Sequence, residues 1–283
     1  MRSNLSVGLL IICMVFLSES LLAQSPRVLL VSDIDDTIKV SHVLSNIGKI
    51  SRAADVTTPF MGMAALYQLI INQNPASTKV IYLSNAPEEL AGIPALKYSH
   101  QTFLSLNHFP PGQLLLREDI FEKNHKIKVL RQLIDQESPD VLIMVGDNGE
   151  KDAEIYHQIV TEYSYSKMQM HTFIHQLYSS QNSFLVPDFL EEIGKPLFPE
   201  QNGYVTPIEI GLKLNEQKLF STSSVEWLIQ RLAPAIVAEK RFKWDGLKAL
   251  TFPQFMNCSD FKWKMPTPQS LLNLLQKIES ECN

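Results

Sequence analysis

Residues 27–39 read RVLLVSDIDDTIK. The apolar run Val28 to Val31 has the composition of a strand buried on both faces of a parallel sheet. It runs straight into three carboxylates within four residues, Asp33, Asp35 and Asp36. Acids packed that closely repel one another, so the turn calls for a positive partner. A hard divalent cation such as Mg²⁺ suits it, because it takes carboxylate and carbonyl oxygens and tolerates bound water. The C-terminal edge of a strand in an open parallel sheet is also where such folds bind ligands. The competing reading is an acidic turn that only caps a following helix.

Short apolar runs alternate with helical periods on the C-terminal side of this stretch. Strands are expected at 27–33, 79–85, 113–117, 140–146 and 169–175, with helices over 59–72, part of 88–106, 125–136 and 152–163. Strands separated by helices predict βαβ units, hence an α/β fold with a doubly wound, mostly parallel sheet. The sheet and its helices use most of the intervening chain, so little is left for a lid. The irregular stretch 40–58 is the one candidate for a partial cover. Beyond Ser180, residues 184–211 carry Pro187, Pro196, Pro199 and Pro207 and read as a linker or extended arm. Residues 223–240 and 268–282 read as helices, with Ser223 or Ser224 as an N-cap.

With 283 residues, 45% of them hydrophobic, the chain can bury a full-sized core. A net charge of −5 argues against broad nucleic-acid binding, which needs a basic face. Residues 1–24 start with Arg2, carry an apolar stretch over 5–17 and end near Leu21-Leu22-Ala23. This reads as a secretory signal peptide and implies a secreted or periplasmic protein; a retained anchor is the alternative. Cys258 and Cys282 then remain, and could form one bridge in an oxidising compartment or stay as two thiols. Lys240, Arg241, Lys243, Trp244 and Lys248 form a basic and aromatic cluster. It reads as a solvated helix end or as a peripheral contact with anionic lipid headgroups. No protein partner is inferable.

Three further stretches carry chemistry. KVIYLSN, residues 79–85, is an apolar strand that delivers Ser84 and Asn85 to the same edge, where a hydroxyl can donate to a phosphate oxygen. His125-Lys126 opens a helix striped by Ile127, Leu130, Leu133 and Ile134, and phosphoryl transfer needs such a cation. Lys123 and Lys128 stand close enough in sequence to compete for that role. DVLIMVGDNGEKD, residues 140–152, is a strand running into Gly146-Asp147, with Asp152 as acidic ligand, partner to a ligand, or helix N-cap. Arg117, ending the strand in LLLRED, could hold a phosphate bidentately.

In this order the motifs resemble those of the haloacid dehalogenase superfamily of phosphohydrolases. SDIDDTIKVS and GDNGEKDAEIY further resemble the phosphatidate phosphatase family named for an actin-patch protein. Asp36 stands where the superfamily often has glycine; Ala86, Glu118 and Asn148 depart from the family pattern. The resemblance covers residues 27–175 and implies a phosphatase domain over 25–180, with 181–283 as a mainly helical extension. It implies Asp33 as nucleophile through an aspartyl-phosphate, Asp35 as general acid and base, and Lys126 as the charge-offsetting cation; Lys126 is preferred over its neighbours by motif match. Thr37, Ser84, Asn85 and Arg117 would bind substrate, and Asp33, Asp35 (through its backbone carbonyl), Asp147 and Asp152 would hold Mg²⁺. The acid role of Asp35 calls for a pKa raised by its acidic neighbours. A minimal cap would leave the site open to a bulky or membrane-bound phospholipid, with phosphatidate converted to diacylglycerol. The alternatives are a phosphatase of soluble phosphomonoesters or phosphoproteins, and a non-catalytic exported lipid-binding module.

Overall fold

The computed structural model describes residues 25–44, 55–89, 93–119, 121–180, 193–239, 261 and 268–281. The expected signal peptide, Cys258 and Cys282, Pro187 and the basic cluster at 240–248 lie outside these residues, as does the stretch 45–54 of the candidate cover.

Six parallel strands form one sheet: β1 (Val28–Ser32), β2 (Thr78–Pro87), β3 (Gln113–Arg117), β4 (Val141–Asp147), β5 (Gln169–His175) and β6 (Asn202–Tyr204). Their spatial order is β3-β2-β1-β4-β5-β6. The helices are α1 (Met63–Gln73), α2 (Ala95–Leu106), α3 (His125–Glu137), α4 (Asp152–Glu162), α5 (Pro207–Glu216), α6 (Thr222–Trp227), α7 (Ala233–Ala238) and α8 (Leu272–Glu281). A π turn at Leu228–Leu232 joins α6 to α7.

Side chains alternate across each strand, so each apolar run feeds two cores. Val28, Leu30, Val80, Tyr82, Val141, Ile143 and Val145 pack on one face with Leu66, Tyr67 and Ile70 of α1 and Phe103 of α2. Leu29, Val31, Ile81, Leu83, Leu142 and Met144 pack on the other with Ile127, Leu130 and Leu133 of α3 and Ala153, Tyr156 and Ile159 of α4. The chain runs outward from β1 to β3, then returns to lay β4 beside β1. That reversal opens a crevice at the C-terminal ends of β1 and β4, the ligand position of doubly wound sheets.

Several expected boundaries move. Pro59 bridges Lys39 in an antiparallel pair, and α1 starts only at Met63. β2 runs on to Pro87, with a register irregularity against β3 between Leu83 and Pro87. The larger change lies past residue 180. The stretch expected as a linker or arm supplies β6, which pairs with β5, and the start of α5. Pro207 sits in the first turn of α5, where its missing N–H has no partner to lose, behind a Thr206/Glu209 capping box. Ser221, rather than Ser223 or Ser224, caps α6 by accepting from the Ser224 N–H at 3.2 Å. Ile208, Leu214, Leu228, Ile236, Leu274 and Ile278 enter the same core as β1 and α1. The sheet and one core thus span the boundary expected at residue 180.

A chain ending at residue 180 is therefore expected to lose the cooperative denaturant unfolding of the full chain, because it exposes the α1 face of the sheet. Unfolding followed by tyrosine and far-UV signals together checks this, because Trp227, Trp244 and Trp263 all lie in the removed part. A truncated chain with one sharp, coincident transition would show 181–283 to be dispensable for folding.

Candidate active site

Asp33 follows β1, and its backbone N–H donates to the Val145 carbonyl at 2.9 Å, which pins the residue to β4. Its carboxylate is buried. Oδ1 accepts from the Lys126 ammonium at 2.7 Å, and Oδ2 from the Thr37 hydroxyl at 3.3 Å. Lys126, in the first turn of α3 and only 2% exposed, also donates to Asp152 Oδ1 at 2.5 Å. Asp147 ends β4, and its Oδ1 accepts the N–H groups of Gly149 at 2.6 Å and Glu150 at 3.3 Å.

Asp33, Asp147 and Asp152 each offer one oxygen within 4.8 Å of the others. Asp152 is the first residue of α4 rather than its N-cap. A Cβ at Gly146 would fall 2.5 Å from Asp152 Oδ2 and 2.8 Å from the Tyr156 ring, so the bare backbone there is what lets α4 bring its acid against β4. That Oδ2 atom is buried with no hydrogen-bond partner among the described residues. Three ionised carboxylates against one ammonium also leave an excess of two negative charges. An orphaned carboxylate oxygen and that excess both fit a divalent cation.

Burial pushes Asp33 well above the usual carboxylate range; Lys126 pulls it back and Asp152 pushes it further up. Asp147 is driven well up by burial and then by Asp152 and Asp33. Asp152 is raised by burial against the pull of Lys126. Burial alone would lower the Lys126 ammonium, but Asp152 and Asp33 overcome it and raise the group.

Asp35 departs from expectation. Its Oδ1 accepts from the Ser41 hydroxyl at 2.5 Å and lies 3.7 Å from the Lys39 ammonium, while His100 Nε2 lies 3.6 Å from Oδ2. Burial would raise it, but His100, Lys39 and Ser41 hold it below the ordinary value, so the expected upward shift from acidic neighbours is reversed. His100 is itself pushed down by burial, against the pull of Asp35. Lys39, Ser41 and His100 were not singled out in the sequence, and His100 arrives from α2 with no local signal.

Asp36 has a structural role. Its φ of 58° lies in the left-handed region, which suits glycine and which aspartate tolerates. Its carboxylate accepts the N–H groups of Ser41 (2.9 Å), His42 (2.7 Å) and Val43 (2.7 Å) and the Tyr178 hydroxyl at 2.6 Å. Asn148 also ties the site to the segment after β5: it accepts from the Leu177 and Tyr178 N–H groups and donates to the Tyr178 carbonyl.

A cavity of about 740 Å³ opens over these residues. It is lined by Asp33, Asp35 and Asp147, by Ser84, Asn85 and Arg117, and by Lys123, Lys151 and Lys195. Val43, Leu44, Ala86, Pro87, Leu96 and Ile193 make its apolar part. Six of the nine expected site residues thus reach it; Thr37, Lys126 and Asp152 are buried outside its lining, and Thr37 meets Asp33 instead. Ser84 sits inside the β2 irregularity rather than at a strand end. Its Oγ accepts the Ala86 N–H at 3.0 Å, which leaves the hydroxyl proton to donate. Arg117 Nε has no hydrogen-bond partner among the described residues. Lys195 and Ile193 come from beyond residue 180, where sequence patterns gave no site residue.

A family model described as phosphatidate phosphatase APP1, catalytic domain, matches residues 28–186, more than half of the chain. No curated protein matches it. Among solved structures, a chain from "Structure of the Pnkp1/Rnl/Hen1 RNA repair complex" is 14% identical with a TM-score of 0.33, over 53% of this chain and 43% of that one. The match thus spans less than half of that chain's length.

Replacing Lys126 by Met leaves Asp33 and Asp152 buried without their counter-charge, and chemical denaturation is expected to show a loss of about 3–5 kcal/mol. The raised carboxylates set a pH dependence as well. Their folded values lie above their unfolded ones, so in the absence of divalent ions their contribution to stability is present at acidic pH and is lost as pH rises through the folded values. In chelator, Asp152→Asn should therefore show a smaller fall in melting temperature between pH 5 and pH 7.5 than the parent chain.

Proposed function

The chain belongs to the family of phosphatidate phosphatase APP1 catalytic domains, and from that premise we propose that it hydrolyses phosphatidate to diacylglycerol through an aspartyl-phosphate on Asp33. The observation that carries this reading is the cluster of Asp33, Asp147 and Asp152 around the Lys126 ammonium, beside an open cavity that also presents Asp35, Ser84 and Arg117.

In the first step a carboxylate oxygen of Asp33 attacks phosphorus and the ester P–O bond breaks, while the leaving oxygen takes a proton from Asp35. In the second, Asp35 takes a proton from water as the water oxygen attacks phosphorus. The bond to Asp33 then breaks, inorganic phosphate leaves and Asp35 is again protonated. Asp35 is held ionised in the free site, so the ester must either bring the proton as its monoanion or, as the dianion, raise the Asp35 pKa by like charge. Lys126 offsets the charge crowding between Asp33 and the phosphate. The Ser84 hydroxyl and the Arg117 guanidinium would donate to phosphoryl oxygens. Asp33, Asp147, Asp152 and the Asp35 carbonyl would hold a divalent cation, Mg²⁺ by chemistry, which supplies charge neutralisation at the phosphoryl group.

The apolar side of the cavity, with Leu44, Pro87, Leu96 and Ile193, supports a lipid ester over a fully polar one. Export through the segment 1–24 would bring the enzyme to lipid outside the cytoplasm.

With Mg²⁺ present, the purified chain should turn over short-chain phosphatidate in micelles faster than an aryl phosphate. A chelator should stop the reaction and Mg²⁺ restore it. Asp33→Asn should lose on the order of 10³-fold or more in kcat. Equal rates on both esters would move the substrate to soluble phosphomonoesters. Metal-dependent turnover retained by Asp33→Asn would sink the aspartyl-phosphate, and lipid binding without turnover would leave a binding module.

A further inference from the structure

His100 is only 1% exposed, yet neither of its ring nitrogens has a hydrogen-bond partner among the described residues. It stands on α2, lines the cavity, and points Nε2 at Asp35 Oδ2 from 3.6 Å, just beyond hydrogen-bonding distance. Leaving a buried polar group unsatisfied costs roughly 1–3 kcal/mol. Such an arrangement is more economical if the missing partner is supplied when substrate binds, and hydrogen bonds in active sites are often long before it does.

Among the described residues, the acceptor that faces this gap is Asp35. Among the described acids of the site its side chain is the accessible one, 24% exposed where those of Asp33 and Asp152 are 6% and 0%. Ser41 and Lys39 both approach Oδ1. An aspartate anchored through one oxygen can still swing its carboxyl plane about the last side-chain torsion. A second anchor on Oδ2 would stop that motion.

We propose that His100 is a positioning residue that engages Asp35 Oδ2 in the substrate complex and, opposite Ser41, orients the carboxyl group for proton delivery to the leaving oxygen. This rests on the aspartyl-phosphate reading and adds to it a dependence on the leaving group. An alkoxide such as that of diacylglycerol is a poor leaving group and needs the proton. A nitrophenolate leaves readily without it.

The test compares kcat and KM of the purified Mg²⁺-loaded chain on short-chain phosphatidate and on p-nitrophenyl phosphate. His100→Ala should lower kcat/KM, which reports the steps up to loss of the leaving group, about 10–100-fold on the alkyl ester and less than about 3-fold on the aryl ester; kcat also contains the water step that Asp35 serves on both esters. His100→Asn, which keeps a donor near the ring, should recover part of the loss; with a melting curve it also covers the case in which the alanine variant misfolds. A similar fall in kcat/KM on both esters, or no change in it on either, would overturn the positioning role. An inactive wild-type chain would overturn the reaction itself and this role with it, whereas an active wild type whose His100 variants lose kcat/KM equally on both esters would overturn only the role of His100.

Discussion

One buried ammonium joins the parts of the reactive edge. Lys126 reaches from α3 to Asp33 after β1 and to Asp152 at the start of α4, and all three side chains are almost wholly out of water. Desolvating such charges costs several kcal/mol per ion before their attraction is counted, and buried ion pairs are often no more stabilising than apolar side chains of the same volume. Net stability is thus a poor reason for the arrangement. Placement is a better one: β1, α3 and α4 enter the fold from far apart in sequence, and one ammonium fixes where their carboxylates stand relative to each other. It does so incompletely. Asp147 adds a third acid to a group with one cation, and Asp152 keeps an unused oxygen. The negative charge left over is what a divalent ion would neutralise before an anionic phosphate ester could approach.

The sheet was legible because burial on both faces writes strands as unbroken apolar runs, and five of six lie close to where those runs fall. β6 was not legible. It has three residues, Asn202–Tyr204, too few for any period to show, and it pairs only because the chain returns alongside β5. α5 was hidden behind Pro207, read as a breaker although the first helical turn accepts proline. Thr206-x-x-Glu209 was the available signal for it, since that spacing marks a capping box.

At the site, local strings located what the backbone alone positions. Asp33 and Asp35 follow a strand, Asp147 and Arg117 end strands, and Ser84 and Asn85 lie in the irregular last part of β2, so the topology carries all six to one cavity. Contacts made across the chain left no trace in any one string. His100 meets Asp35 over sixty residues away in sequence, and Tyr178 meets Asp36 from beyond β5. Thr37, a substrate ligand by resemblance, turns inward and donates to Asp33.

That same turn explains why the crowding of acids misled. Three carboxylates in four residues suggest one shared pool of negative charge, in which each raises its neighbours' pKa. The chain instead winds tightly after Ile34, whose carbonyl accepts the N–H groups of Thr37, Ile38 and Lys39, with Asp36 at positive φ in the middle. The three side chains consequently leave in different directions. Asp33 goes to an ammonium, Asp35 to a hydroxyl, a lysine and an imidazole, and Asp36 to three backbone N–H groups and a phenol. Each therefore has its own electrostatic surroundings: Asp35 is held below its ordinary pKa while Asp33, two residues away, is driven above it. Two carboxylates sharing one field would tend to share one proton, and the separation lets each hold its own, although in the free site Asp33 is the one raised and Asp35 the one lowered. The third acid, Asp36, belongs neither to the cavity lining nor to the cluster of Asp33, Asp147 and Asp152; its carboxylate instead holds the turn through the Ser41, His42 and Val43 N–H groups.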